Sequence, residues 1–230
     1  SRSGGLLAAT WASMVSLGRE GYRNYAKAIF ETSYAMQEAV NRGVKVACDM
    51  NYRSKLWQWD PPSTARELAT RTMRDLMPLV DLFVGGREDA EEMLGIRGTG
   101  SLDELARQIA EAFPRIQRVA MTRREGLSAT HNNFGGLLYD AGAQVVVHAP
   151  APDRLYPIPD IVDRLGAGDG FTAGLLYALT HPELADPVSA VSFAAAAGCL
   201  AHSIEGDFNY STRAEIEALM RGDASGRVRR

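Results

Sequence analysis

Residues 161–179 read IVDRLGAGDGFTAGLLYAL, and this stretch decides how the rest of the chain is interpreted. Gly166, Ala167 and Gly168 let the backbone turn tightly. Beyond them Phe171, Leu175 and Leu179 recur at helical spacing, which predicts a helix with one face on a core. The first N–H groups of such a helix have no partner inside it. Together with the helix dipole they form a seat for an anion, and phosphate is the usual one. Asp169 lies in the same turn. A carboxylate repels phosphate, so it makes little sense as a binding group there. It makes sense as a base that removes the proton of a hydroxyl attacking that phosphate. On spacing alone an ordinary helix start fits as well, because an acidic first turn is favoured by the dipole. A dinucleotide fingerprint does not fit, since the G-x-G-x-x-G spacing and a clear preceding strand are both absent.

Upstream of this turn the chain alternates between strand and helix patterns. Residues 20–42 have amphipathic helical spacing and end at Gly43, and Val44 to Met50 alternates as a strand. After the polar loop containing Pro61 and Pro62, Thr64 and Glu67 have the spacing of a capping box. A short apolar strand spans Val80 to Gly85 and a short helix Glu88 to Leu94. Ser101 and Glu104 form a second box, with Leu105, Ile109 and Phe113 on one face, and a strand covers Arg118 to Thr122. This order predicts an α/β fold with a parallel sheet and flanking helices. Residues 127–148 break the rhythm with two apolar runs joined by Ala141 and Gly142, which suggests a hairpin at the sheet edge. Downstream, helices are expected over Gly168 to Leu179, about Pro187 to Ile204, and Thr212 to Arg221.

Composition narrows the function. The 230 residues carry 25 basic and 28 acidic side chains, a net charge of -3 and 46% apolar residues, which fits one large or two small globular domains. That balance removes the basic field of a nucleic-acid binder. Only Lys27, Lys45 and Lys55 are lysines, which limits any chemistry that needs an amine. Cys48 and Cys199 cannot make a disulfide framework, so a reducing, cytoplasmic compartment is expected. The alanine-rich run Ala190 to Ala201 is too short to span a bilayer, and the start SRSGGLLAATWAS lacks the order of a signal peptide. His131, His148, His181 and His202 are too dispersed for a metal cluster and read as surface or capped residues.

The full string D-R-L-G-A-G-D-G-F-x-A-G-L resembles the C-terminal signature of the ribokinase-like (PfkB) sugar kinases. The resemblance implies a Rossmann-like α/β domain, accompanied in the family by a β lid, that transfers the ATP γ-phosphoryl group to a sugar hydroxyl. It makes Asp169 the base and Gly166, Ala167 and Gly168 the anion hole, with Arg164 standing where the family usually has Thr. Cys48 to Trp57, C-D-M-N-Y-R-S-K-L-W, resembles the matching segment of the 2-keto-3-deoxygluconate kinase branch, as does A-H-S-I-E-G-D-F-N-Y-S-T over 201–212. At the carboxyl end of a parallel strand such a loop faces the ligand, where Arg53, with Asn51, could hold a sugar-acid carboxylate. A surface ion pair is the alternative for Arg53. Met121 to Gly126 is similar to the family segment on the nucleotide side, which makes Thr122 and Arg124 ATP-binding candidates; Arg123 and Arg124 as a solvated pair stays open. In the family's N-x-x-E region, which organises magnesium, Gly86 and Asp89 stand for Asn and Glu, so Asp89 is the candidate for Mg2+ through water.

Residues 1–40 instead resemble a segment of pyridoxal-phosphate-dependent lyases and decarboxylases, closest to sphingosine-phosphate lyase. Lys27, on the polar side of its predicted helix, is a poor partner for that cofactor. The expectation is a lyase-like helical segment, 1–40, followed by the C-terminal part of a kinase domain, 41–230, incomplete, lacking the lid and impaired in activity. The implied partners are ATP, Mg2+ and a small sugar acid, with no nucleic acid and no membrane, and a homo-oligomer stays open. A different sugar kinase such as a fructokinase, a non-catalytic nucleotide-binding fragment and a lyase-related protein are the competing readings.

Overall fold

The structure is a computed structural model that describes residues 37–222 except 39, 59–61, 99 and 129. Most of the helix expected over 20–42, nearly all of the lyase-like segment, Trp59, Pro61 and the tail from 223 lie outside the described residues. The chain divides into two units, Ser1–Lys45 and Val46–Arg230, and the second carries the sheet.

That sheet has six strands. β1 (Ala47–Asp49), β2 (Leu82–Val84) and the first part of β3 (Arg118–Gly126) are parallel, with Cys48 opposite Phe83 and Phe83 opposite Val119. β4 (Asn132–Asp140) returns antiparallel along the whole of β3, and β5 (Val145–Ala149) closes the expected hairpin at the sheet edge. β6 (Tyr156–Ile158), which the sequence reading did not anticipate, pairs with the first residues of β4, so β5 and β6 share one side of that strand.

Helices cover both faces. α1 (Ala65–Leu76), α2 (Arg87–Leu94) and α3 (Leu102–Ala112) pack with Phe83, Val119, Met121, Leu137 and Tyr139 in one core. α4 (Ala167–Thr180), α5 (Pro187–Ala201) and α6 (Arg213–Met220) pack with Leu82, Val84, Ala120 and Leu138 in the other. The split follows strand periodicity, since neighbours such as Val119 and Ala120 must face opposite ways. The three capping boxes read from sequence all form: Thr64 with Glu67, Ser101 with Glu104, and Thr212 with Glu215. Each satisfies orphan amides and contributes about 1 kcal/mol.

α4 and α5 approach through small residues. A Cβ added to Gly174 would lie 2.8 Å from the Ala197 Cβ, and one added to Gly198 would lie 2.9 Å from the Ala167 carbonyl oxygen. Phe171 and Leu175 of α4 are fully buried, Phe171 against Gly136 of β4, and each such burial is worth about 1.5–3 kcal/mol. The alanine-rich run is thus the buried helix of a three-layer domain. No helix among the described residues is long and apolar enough to cross a membrane.

Candidate active site

The carboxyl ends of β1, β2 and β3 meet the start of α4 around a cavity of about 580 Å³. Asn51, Arg53, Asp89, Thr122, Arg124, Gly166, Gly168 and Asp169, scattered over four segments of sequence, all line it. Ala167 does not; its methyl group is fully buried in the core beneath the turn.

The turn is held from below. Gly166 has φ +75°, in the left-handed region, and a Cβ there would come within 2.9 Å of the Asp207 carbonyl oxygen. Only glycine satisfies both conditions without strain. Asp163, inside the quoted motif, accepts from the Leu165 amide at 3.1 Å and the Gly206 amide at 3.2 Å, tying the turn to the loop after α5. The His202 carbonyl accepts from the amide of Val162 at 2.9 Å, and Asn209 Nδ2 donates to the Ala197 carbonyl at 2.9 Å. The 201–212 segment therefore buttresses the turn. Gly168 differs from Gly166. A Cβ added there would meet only the Arg124 guanidinium, at 3.6 Å, so the protein's own packing leaves room for a larger residue.

On the opposite wall, Asn51 follows β1 with φ +39°, a region Asn tolerates better than most residues. Arg53 Nη1 donates to the Tyr52 carbonyl at 3.0 Å, and the side chain is otherwise exposed. Asp89 accepts from the Tyr52 amide and from the Gly86 amide, each at 2.8 Å, so one carboxylate pins the loop after β1 to the first turn of α2. β3 runs on to Gly126 rather than ending at Thr122, because β4 pairs with it as far as Gly126 opposite Asn132. Thr122 and Arg124 consequently stand two apart on a strand and share a face. Arg123 turns away, donating to the carbonyls of Ala151 at 2.9 Å and Pro152 at 2.7 Å, which removes it from the pair considered above.

Several wall residues were given no role by the sequence reading: Asp49, Arg87, Arg164, Thr172 and Asp207. Asp49 ends β1, at the strand position where a side chain meets the crevice. Partial burial raises its carboxyl above the usual range, Asp169 and Asp89 add to the rise, and Thr172 and Arg53 oppose it. Thr172 lies one helical turn after Asp169; its hydroxyl is 3.0 Å from the Gly168 carbonyl and 3.4 Å from Asp49 Oδ2. That spacing was visible in the quoted motif. Of the two readings left open for the histidines, surface or capped, His202 takes the second: it is nearly fully buried at the C-cap of α5. Its Nδ1 donates to the Gly198 carbonyl at 2.9 Å, and its ring packs edge-on against Phe134, 5.1 Å between centroids. Burial holds its pKa below the ordinary value, and Arg124 and Arg164 push the same way.

The architecture is an α/β sheet with a parallel edge, a glycine turn and an aspartate in the first turn of the helix that follows. Residues 31–211 match the pfkB family of carbohydrate kinases, and the chain belongs to that family. It is 32% identical over 196 residues to a 2-dehydro-3-deoxygalactonokinase of Haloferax volcanii, covering 85% of this chain and 53% of that protein. Among solved structures, the 2-dehydro-3-deoxygluconokinase of Thermotoga maritima superposes with a TM-score of 0.72 at 34% identity, covering 83% of this chain and 54% of that one. A PfkB family carbohydrate kinase of Listeria grayi gives 0.69 at 31% identity, with 83% and 54% covered. The chain thus spans about half the length of the relatives it matches. The likeness of residues 1–40 to lyases draws no support from these comparisons.

Proposed function

We propose that this chain is the nucleotide-binding and phosphoryl-transfer part of a kinase that phosphorylates 2-keto-3-deoxygluconate, or a closely related sugar acid, with ATP. The observation that carries the reading is the single cavity that gathers the glycine turn, Asp169, and the Asn51–Arg53 loop from distant segments. The relatives in Haloferax volcanii and Thermotoga maritima, both kinases of 2-dehydro-3-deoxy sugar acids, support the substrate class.

In this reading the amides at 166–168 hold the phosphate oxygens at the head of α4, where the dipole favours negative charge. Thr122 and Arg124 contact the nucleotide. Arg53, with Asn51, holds the acceptor's carboxylate; a guanidinium can do so through two parallel hydrogen bonds, which a neutral sugar would not need. Asp169 takes the proton of the acceptor hydroxyl. The oxygen then attacks the γ-phosphorus, the bond to the bridging oxygen breaks, and ADP leaves. Among the described residues no cluster of three or more His, Cys, Asp or Glu side chains forms a dedicated metal cage. That suits Mg2+, which binds through one or two carboxylates plus phosphate oxygens and water. Asp89 would hold it through water, and bound Mg2+ would neutralise charge building on the phosphates.

Gly168 supplies the test. Its neighbour at 3.6 Å leaves space for a side chain in the folded protein. Gly168→Val should therefore fold while blocking backbone approach to phosphate. Titration calorimetry of the 230-residue chain with ATP should show binding that this variant loses, and unchanged affinity in the folded variant would sink the reading.

A further inference from the structure

Arg164 stands at the position where the resembling signature has Thr, and nothing in the reaction described above uses it. It nevertheless lines the same cavity wall as Gly166, Gly168 and Arg124. Its Nη2 donates to the Ser128 carbonyl at 3.0 Å, in the connection between β3 and β4, which holds the guanidinium beside the glycine turn. The Ile161 amide donates to the Thr130 carbonyl of the same connection at 2.9 Å, so the segment leading into the turn is fastened at two points.

Arg124 reaches the same turn from β3. One of its terminal nitrogens lies 3.6 Å from where a Gly168 Cβ would be, and its guanidinium carbon sits 5.4 Å over the Phe134 ring. Two guanidinium groups thus line the cavity at one helix start, and Arg164 lowers the pKa of Arg124 after the larger effect of burial. Like charges gathered at a cavity wall oppose folding of the empty protein. An anion between them reverses the sign of that interaction.

We propose that Arg164 is, beside Arg124, a second guanidinium ligand of the nucleotide's phosphates; this rests on the nucleotide reading above. A pair of cationic donors beside backbone amides suits a chain of two or more phosphoryl groups better than a single one, because the extra negative charge meets the extra positive charge. Part of the charge neutralisation is then supplied by the protein, so binding persists when divalent metal is removed.

The experiment is titration calorimetry on the 230-residue chain with ATP, ADP and AMP, each with Mg2+ and with EDTA. In EDTA, Arg164→Thr should weaken ATP and ADP by about tenfold or more and AMP by less than about threefold, as expected for loss of a charge-assisted contact to the polyphosphate. Arg164→Lys, which keeps the charge, should recover most of the loss. If Arg164 only tethers the connection at Ser128, all three nucleotides weaken alike and Lys does not rescue, which overturns the proposal, as does unchanged ATP affinity in Arg164→Thr. Loss of ATP binding in Gly168→Val beside unchanged binding in Arg164→Thr would overturn this inference alone. An unmodified chain that binds no ATP would overturn the nucleotide reading and this proposal with it.

Discussion

Two glycines with nearly the same backbone offer a controlled measurement of how tightly the turn is built. Gly95 ends α2 at φ +69°, and Gly166 opens α4 at φ +75°. Alanine at either site pays the left-handed penalty, about 1–2 kcal/mol. Their surroundings differ. A Cβ at Gly95 finds nothing nearer than the Thr70 methyl at 3.8 Å, an ordinary contact. At Gly166 it meets the Asp207 carbonyl oxygen at 2.9 Å and carbonyl carbon at 3.3 Å, and backbone held by neighbouring hydrogen bonds cannot rotate aside. Overpacking of this kind adds about 1–3 kcal/mol. Gly95→Ala should thus cost about 1–2 kcal/mol and Gly166→Ala about 2–5 kcal/mol. Urea unfolding followed by circular dichroism measures both, with an unchanged slope showing that only stability moved. Equal losses at the two sites would refute the claim that the loop after α5 braces the turn.

Asp169→Asn should leave ATP affinity roughly intact and lower phosphoryl transfer by about 10²–10⁴-fold. Coupled ADP release checks this, best in a hybrid joining this chain to the N-terminal half of an active relative. In the same hybrid Arg53→Glu should abolish use of 2-keto-3-deoxygluconate and barely change any use of fructose; equal effects on both sugars would remove Arg53 from carboxylate recognition. His202 sets a pH dependence. Its folded pKa lies below the ordinary 6.5, so the unfolded chain takes up the proton first as pH falls. Its contribution is complete above about pH 6.5 and is lost from there downward, so urea midpoints should fall between about pH 7 and about pH 5.5. His202→Asn should flatten that fall.

The caps, the hairpin and the glycine turn were legible because each depends on a few residues adjacent in sequence. Thr64 and Glu67 satisfy each other within one turn whatever surrounds them. The end of β3 was not legible, because Arg123, Arg124 and Glu125 are polar and carry no strand signal of their own. Pairing with β4 makes them a strand, and that pairing in turn aims Thr122 and Arg124 into the cavity while Arg123 faces elsewhere. β6 is three residues with a proline at its centre, too short for any periodicity to register. For His202 the sequence left surface and capping roles open; its contact with Phe134 could not be read, because that strand is brought beside it only by the fold. The motif named Asp169 and the turn and already spaced Thr172 one helical turn on, whereas Asp49 became their neighbour only when β1 was set next to α4.

The seam between α4 and α5 has a consequence for ligand affinity. With Gly174 against Ala197 and Gly198 against Ala167, neither helix can slide without a collision, so the glycine turn rides on a single stiff body. In the proposed reading, the amides that would hold phosphate are immobilised when the chain folds, not when the ligand arrives. Binding would then forfeit little conformational entropy on this wall, which removes one of the costs that lower affinity. The exposed loop carrying Asn51 and Arg53 has no such seam beneath it, and ordering it is where the entropic cost of recognising the acceptor falls.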